Sequence, residues 1–502
     1  YDIQTIIMKN LRALKTSVGL FCATVTCLLS TNLNAKAAER VILRYGILSD
    51  SISVDELKNI AKTGKVHGHY QNYINKLPSE KRQQLLETLR QEYSINFVTL
   101  SRLLYTSVGA TILEDLASLT PRSDTAGMQA LRAALIKGSS ERLSILSFID
   151  AYPSDNLVID VEKASKVFKK LNLAYKQTQQ FMQAINPKLS NIQDTQFNLP
   201  FDPTTLGGAT QVLNLSLKDE KRLNRSVPVD IYYSNTTVAK PVVVLSHGFS
   251  SDRSDMRYIA VHLASHGYVV AAVEHTGSNQ AYQLNLMKPG IVSMIKPEEF
   301  LDRPKDISFV LDKLAQFNST PKHPLQGKII TDNVTVIGHS FGGATALTIA
   351  GGELQIDYLK KYCSKLPVTT NYAEGLQCVA SSLPENRYQL KDSRIKQAIA
   401  LNPTTSIMFG KTGLKKMQVP VLMLASSNDQ VTPALTEQII GFNTISSPKL
   451  LVGIVGATHG RIKDPISTAN REEKQDSREV TGEKAADIGK YVKAVTLACV
   501  SQ

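Results

Sequence analysis

The stretch from Val334 to Ile349 reads Val-Thr-Val-Ile-Gly-His-Ser-Phe-Gly-Gly-Ala-Thr-Ala-Leu-Thr-Ile. A β-branched apolar run ends at Gly338-His339-Ser340-Phe341-Gly342 and passes into small, helix-compatible residues. This predicts strand, sharp turn and helix: a nucleophile elbow, in which a strained turn exposes a serine hydroxyl at a strand end. Gly338 and Gly342 leave room where a Cβ would collide. The amide of Phe341, first in the new helix, points at an oxyanion forming beside Ser340. Gly-x-Ser-x-Gly alone says little; the flanking strand and helix carry the inference.

Working outward, Leu213, Leu215 and Leu217 alternate with polar residues, as do Val227, Val229, Ile231 and Tyr233. Period two predicts an opening antiparallel pair of strands. Six continuous apolar runs follow at 242–245, 269–273, 334–337, 398–401, 419–424 and 450–455, separated by helix-length segments. Such runs mark strands buried on both faces of a mostly parallel sheet. The expected class is α/β, an α/β-hydrolase fold over residues 209–502 with helices flanking the sheet.

A serine nucleophile needs a base to take its proton and an acid to orient that base. In this fold they follow in the order Ser, acid, His. After Ser340 the chain contains a single histidine, His459, just beyond the last strand. Asp429 follows the run 419–424 at the usual place of the acid. The competing place, at the end of the preceding strand, holds Asn402, which cannot carry the charge that stabilises imidazolium. The second oxyanion donor is expected from the backbone amide of Phe249, in Ser246-His247-Gly248-Phe249-Ser250, with Gly248 allowing close approach. His339 is expected to point away from the serine hydroxyl, and His275 reads as structural or as part of the site wall.

At 502 residues the chain exceeds what one core organises, so at least two domains are expected. Met8 with Lys9, Arg12 and Lys15, an apolar stretch 18–29, then Ala35-Lys36-Ala37 read as an export signal within residues 1–37. The apolar stretch is too short to span a bilayer. The mature chain is therefore expected to be periplasmic or extracellular, without a transmembrane segment. Residues 38–185 read as an all-α domain: Ser53-Val54-Asp55-Glu56 is a capping box, Gly64 a stop, and Ser79 is expected to cap a run with Leu85, Leu86 and Leu89 on one face. His67 and His69 read as loop histidines. Residues 186–208, rich in Pro, Asn, Asp and Thr, form the expected linker. The formal charge of +13 becomes +10 without the four basic and one acidic residue of the first 37. The lysines are scattered without an Arg-rich stripe or interleaved aromatics, which argues against nucleic acid and is compatible with peripheral contact at a lipid surface. In an exported protein Cys363 and Cys378 are expected to pair, leaving Cys499 as a buried apolar residue.

Leu245-Ser246-His247-Gly248-Phe249, the run from Leu263 to His275 and the run from Val336 to Thr345 resemble the platelet-activating factor acetylhydrolase family and the bacterial dienelactone-hydrolase-like proteins near it. The likeness covers roughly 224–459. It implies a secreted, calcium-independent lipase or esterase acting on short or oxidised acyl esters of phospholipids, with Ser340 as nucleophile, His459 as base and the amides of Phe249 and Phe341 as oxyanion donors. Asn402 departs from the acetylhydrolases at the position of their acid, and the serine departs from true dienelactone hydrolases, which use cysteine. The N-terminal half resembles an uncharacterised domain that precedes such hydrolases in some bacteria. No metal or organic cofactor is required by this mechanism. Residues 282–300 (Leu284, Leu286, Met287, Ile291, Met294, Ile295) and 351–396 are the expected walls of an acyl pocket, or else helices packed on the sheet. A polyester- or cutinase-like hydrolase and a non-catalytic binding protein on the same scaffold are the alternatives.

Overall fold

In a computed structural model of the protein, the described residues are 37–66, 70–71, 76, 78–93, 97–105, 107–164, 173–189, 202–236, 238–285, 295–364, 372–464 and 483–502. The expected signal, His67, His69, most of the expected linker, and Leu286, Met287, Ile291 and Met294 lie outside them. The chain divides into two compact units, one formed by residues 1–101 with 116–162 and the other by 102–115 with 163–502.

The first unit is not all-α, which corrects the sequence expectation. Strands β1 (Arg40–Tyr45) and β2 (Leu48–Ser53) form a hairpin, and β3 (Asn156–Asp160) pairs parallel to β1 on its other edge. Two causes hid this sheet. The hairpin turn is only Gly46-Ile47, with Gly46 at φ 58°, and beyond Leu43 both faces of the hairpin are exposed, so no alternation is written into it. The pairing of β1 with β3 joins segments more than a hundred residues apart, which local periodicity does not report. Helix α1 (Val54–Thr63) is capped by the Ser53 hydroxyl, which accepts from the Glu56 amide, and ends at Gly64 with φ 71°. Ser79, by contrast, is not a cap but the first residue of its helix, which follows Pro78 without a side-chain cap.

The second unit is built on an eight-stranded sheet. Its strands are β4 (Thr210–Asp219), β5 (Arg225–Ser234), β6 (Lys240–Ser246), β7 (Val269–Val273), β8 (Ile329–His339), β9 (Ile395–Leu401), β10 (Val421–Ser426) and β11 (Lys449–Ile454). Across the sheet the order is β11-β10-β9-β8-β6-β7-β5-β4. Strands β6 to β11 pair in parallel, while β4 and β5 form the antiparallel opening and β5 runs antiparallel to β7. Successive residues feed opposite faces: Val242, Val244, Val336 and Ala398 enter one core, and Val243, Leu245, Ile337 and Ile399 the other. That is why these strands read as unbroken apolar runs. The first core also takes up helix α2 (Glu299–Ser319) through Phe300, Ile307 and Leu311. The second takes up α3 (Arg257–Ser265) and the C-terminal helix through Ile259, Leu263 and Val492.

Within 351–396, Leu354, Ile356, Leu359, Leu376 and Leu383 are buried in the first core, so these described residues pack on the sheet. Cys363 and Cys378 are disulfide-bonded, and Cys499 is a partly buried free thiol packed on the second core. The bridge closes a loop with a sequence separation of 15. Replacing both cysteines by serine is expected to lower unfolding free energy by about 3 kcal/mol, measured as a lower denaturant midpoint; an unmoved midpoint refutes it.

Candidate active site

The parallel strands bring their C-terminal ends to one edge, and the sequence-selected residues gather there. Ser340 stands between β8 and helix α4 (Phe341–Ile349) with φ 56° and ψ −120°. A non-glycine residue in this region carries roughly 1–3 kcal/mol of strain. Its neighbours hold it there. The Ser340 amide donates to Leu401 O at 2.9 Å, and Ser340 O accepts from Ala344 N at 3.2 Å. A Cβ on Gly338 would lie 1.9 Å from Gly342 O, and one on Gly342 would lie 1.9 Å from Ser246 O, so both glycines are demanded by packing.

Asp429 is fully buried and every lone pair has work. Oδ1 accepts from the amides of Val431 (2.9 Å) and Thr432 (2.7 Å). Oδ2 accepts from the Thr432 hydroxyl at 2.7 Å and from His459 Nδ1 at 2.7 Å. Thr432 Oγ1 also lies 3.1 Å from His459 Nδ1. These contacts place the proton on Nδ1 and leave Nε2 as the basic nitrogen. Among the described residues Ser340 Oγ and His459 Nε2 make no hydrogen bond; such bonds often tighten only when substrate binds.

What brings His459 to the elbow is His339. Its ring packs on the His459 ring with centroids 4.7 Å apart, and its Nε2 donates to His459 O at 3.1 Å. Burial pushes the His339 pKa well below its usual value, and the neighbouring His459 pushes it the same way, so His339 stays neutral. The sequence reading has it pointing away from the Ser340 hydroxyl and does not pair it with His459. It also missed Thr432, whose hydroxyl reaches Asn402 O (3.2 Å) as well as Asp429. Asn402, at φ 44°, donates through Nδ2 to Ser426 Oγ at 3.0 Å.

Phe341 is the first residue of α4, so its amide belongs to the unpaired first turn. The loop after β6 runs against the nucleophile: a Cβ built on Gly248 would stand 3.4 Å from Ser340 Cβ. Beneath the loop lies a charged layer. Arg303, fully buried, donates to His247 O at 2.6 Å, with its guanidinium 4.5 Å over the Phe341 ring. Burial lowers its pKa to about 9, which leaves it charged at neutral pH. His275, read from sequence as structural or wall, bonds Ser246 Oγ at 2.9 Å and Asp306 Oδ2 at 3.0 Å. Arg225 grips Asp306 with two bonds of 2.9 and 3.0 Å.

The sheet order, with parallel strands flanked by helices, is that of an α/β fold, and the strand-turn-helix at Ser340 and the Asp429–His459 pair lie at its strand ends. Comparison with known families agrees in segments. Residues 37–160 match the family described as alpha/beta hydrolase of unknown function (DUF1400), 227–360 the PET hydrolase-like family, and 310–468 the platelet-activating factor acetylhydrolase, isoform II family. Among curated proteins, the chain is similar to the platelet-activating factor acetylhydrolases of Canis lupus familiaris (30% identical) and Bos taurus (28% identical). In each case the match covers 21% of this chain and 31% of the relative, so it spans under a third of those proteins' length.

Burial pushes His247 down to about 4, and pushes His275 and His339 well below the ordinary 6.5. An unfolded chain protonates these rings near 6.5 while the folded chain does not. Their contribution to stability is therefore full above 6.5 and lost as pH falls toward 4. Glu374, raised to about 7 by burial and then by Glu437, works in the opposite sense. Selective ¹⁵N-histidine spectra of the folded protein at pH 5.5 are expected to show His247, His275 and His339 among the neutral rings, together with His262, which burial also lowers to about 4, and His247 with an unprotonated Nε2 that accepts from the His275 amide. Imidazolium signals from these positions would refute the assignment.

Proposed function

We propose that this chain hydrolyses carboxylic esters by acyl transfer through Ser340. The observation that carries the proposal is a serine at φ 56° in a strand-turn-helix elbow, beside a histidine whose Nδ1 is engaged by a fully buried aspartate. Ser340 Oγ attacks the ester carbonyl as His459 Nε2 takes its proton. Asp429 keeps the Nδ1 tautomer and stabilises the imidazolium. The amides of Phe249 and Phe341 receive the oxyanion. The bond to the alcohol breaks as His459 returns the proton to the leaving oxygen. Water then attacks the acyl-enzyme with His459 again as base, releasing the acid and restoring the serine.

The matches to the acetylhydrolase family and to proteins named platelet-activating factor acetylhydrolase support short or oxidised acyl esters of phospholipids as substrate. The PET hydrolase-like match over 227–360 supports a polyester reading of the same chemistry. The disulfide supports export to an oxidising compartment, and no described helix is long and apolar enough to cross a membrane.

A fluorophosphonate probe is expected to label the wild type and not Ser340→Ala, with turnover of p-nitrophenyl acetate and butyrate lost in parallel. A folded wild type that neither labels nor turns over these esters overturns the enzyme reading in favour of a binding protein. Against the same substrates, Asp429→Asn is expected to lower kcat by roughly 10⁴. Thr432→Val, which keeps the carboxylate but removes one bond to it, should cost about tenfold at little change in KM; equal losses for the two variants would contradict their separate roles.

A further inference from the structure

We infer that Arg303 is a positioning residue that aims the oxyanion donor of the loop after β6; this rests on the proposed hydrolysis through Ser340. Arg303 reaches that loop from α2 by two contacts, and the start of α4 by a third. Its Nη2 donates to His247 O at 2.6 Å and lies 3.4 Å from Gly248 O, while the guanidinium plane covers the Phe341 ring at 4.5 Å. One side chain therefore touches both segments that supply oxyanion amides.

The peptide geometry turns these contacts into orientation. His247 Nε2 accepts from the His275 amide at 3.0 Å, so the proton of this neutral ring is on Nδ1, which donates to Gly248 O at 2.7 Å. Gly248 O is thus approached by donors from Arg303 and His247 on the buried side. In a trans peptide the carbonyl and the following N–H point in opposite directions. Fixing Gly248 O inward turns the Phe249 N–H the opposite way, in a loop that runs against the nucleophile, where a Cβ on Gly248 would stand 3.4 Å from Ser340 Cβ. The far end of the loop is pinned as well, by Ser250 N donating to Ser278 O at 2.9 Å.

The chemistry calls for arginine. Burying a guanidinium carries a desolvation penalty of several kcal/mol, and a flat guanidinium can donate in its plane, here through Nη2, while stacking on an aromatic face. Among the described residues the carboxylates around it bond other arginines: Asp306 and Glu299 are each paired with Arg225, at 2.9 and 2.8 Å, and Asp306 also with Arg222 at 2.7 Å, whereas Arg303 makes no such pair. Arg303 is left to hold the backbone of the loop.

The test compares full-length wild type, Arg303→Met and Arg303→Lys by kcat and KM on p-nitrophenyl butyrate, phenylboronic acid inhibition and thermal melting. Phenylboronate forms a tetrahedral adduct whose oxygen occupies the oxyanion site, so its affinity reports donor alignment, which a merely structural residue would leave alone. The expected result for Arg303→Met is a fall in kcat of about 10- to 100-fold, short of the ~10²–10³ for outright loss of a donor. KM should stay within about threefold, and phenylboronate should weaken in proportion. Arg303→Lys, keeping the charge and one donor but not the fork, should fall between. If Arg303→Met does not fold, Arg303→Lys decides by the same criterion. An active, folded variant with kcat within twofold of wild type and unchanged phenylboronate affinity overturns the inference and leaves the esterase reading intact. A folded wild type with neither turnover nor fluorophosphonate labelling overturns the esterase reading, and this inference with it.

Discussion

A serine held at φ 56° between a buried strand and a helix is the constraint on which the second unit depends. Nothing local favours that backbone, so the surroundings must fix it. The amide of Ser340 is tied to the end of β9, and Gly342 lies against the carbonyl of Ser246 at the end of β6. Gly343 in turn meets Pro403 just beyond β9, where a Cβ would stand 2.9 Å from the proline Cβ. Both neighbours of β8 in the sheet thus close on the turn. The parallel core is the means by which a strained residue is held in one conformation.

The same closeness sets the electrostatics. Two histidines, His247 and His275, are buried next to Arg303 and Arg225, where their protonated forms would be desolvated and repelled. Neutral, they are donor and acceptor at fixed atoms: His275 links Ser246 at the end of β6 to Asp306, and His247 links the His275 amide to Gly248 O. His339 does the same beside His459: a protonated ring there would oppose imidazolium, whereas a neutral one packs against it and donates to its backbone. Arrangement by neutral rings keeps positive charge available for the one histidine proposed to need it.

How much of this could be read from the sequence follows from the range of each interaction. The elbow is a local pattern of five residues within a strand and a helix, and the strands of the large sheet are written as apolar runs, so both were legible. Asp429 and His459 were legible through chain order. His339 and Thr432 were visible as residues but not as partners, because their roles arise only when β8, the turn after β10 and the loop after β11 meet. Arg303 offered no signal: in sequence it is one charged residue on an amphipathic helix, and its burial comes from the loop folded over it. The first unit's sheet was missed because β1 and β3 pair across the chain and the hairpin is exposed beyond Leu43.

The position of Asp429 shows how far such supports extend. Asp429 lies in a turn after β10, and a turn does not hold a carboxylate to a fraction of an ångström without fixed neighbours. Inside, Thr432 ties the turn to the end of β9 through Asn402 O. On another side a helix that precedes the sheet in sequence, Leu173–Leu189, binds it: Gln179 Nε2 donates to Ser427 O at 2.8 Å, and Thr178 Oγ1 accepts from Leu435 N at 3.1 Å. The turn is therefore bracketed at residues 427 and 435, with Asp429 between. A carboxylate after β10 instead of β9 requires such a bracket, since β9 is central and its end is fixed by sheet neighbours on both sides, whereas the chain after β10 must span to the next helix. Helix 173–189 supplies that bracket, which joins the reading of Asp429 as the acid to a segment more than 200 residues away.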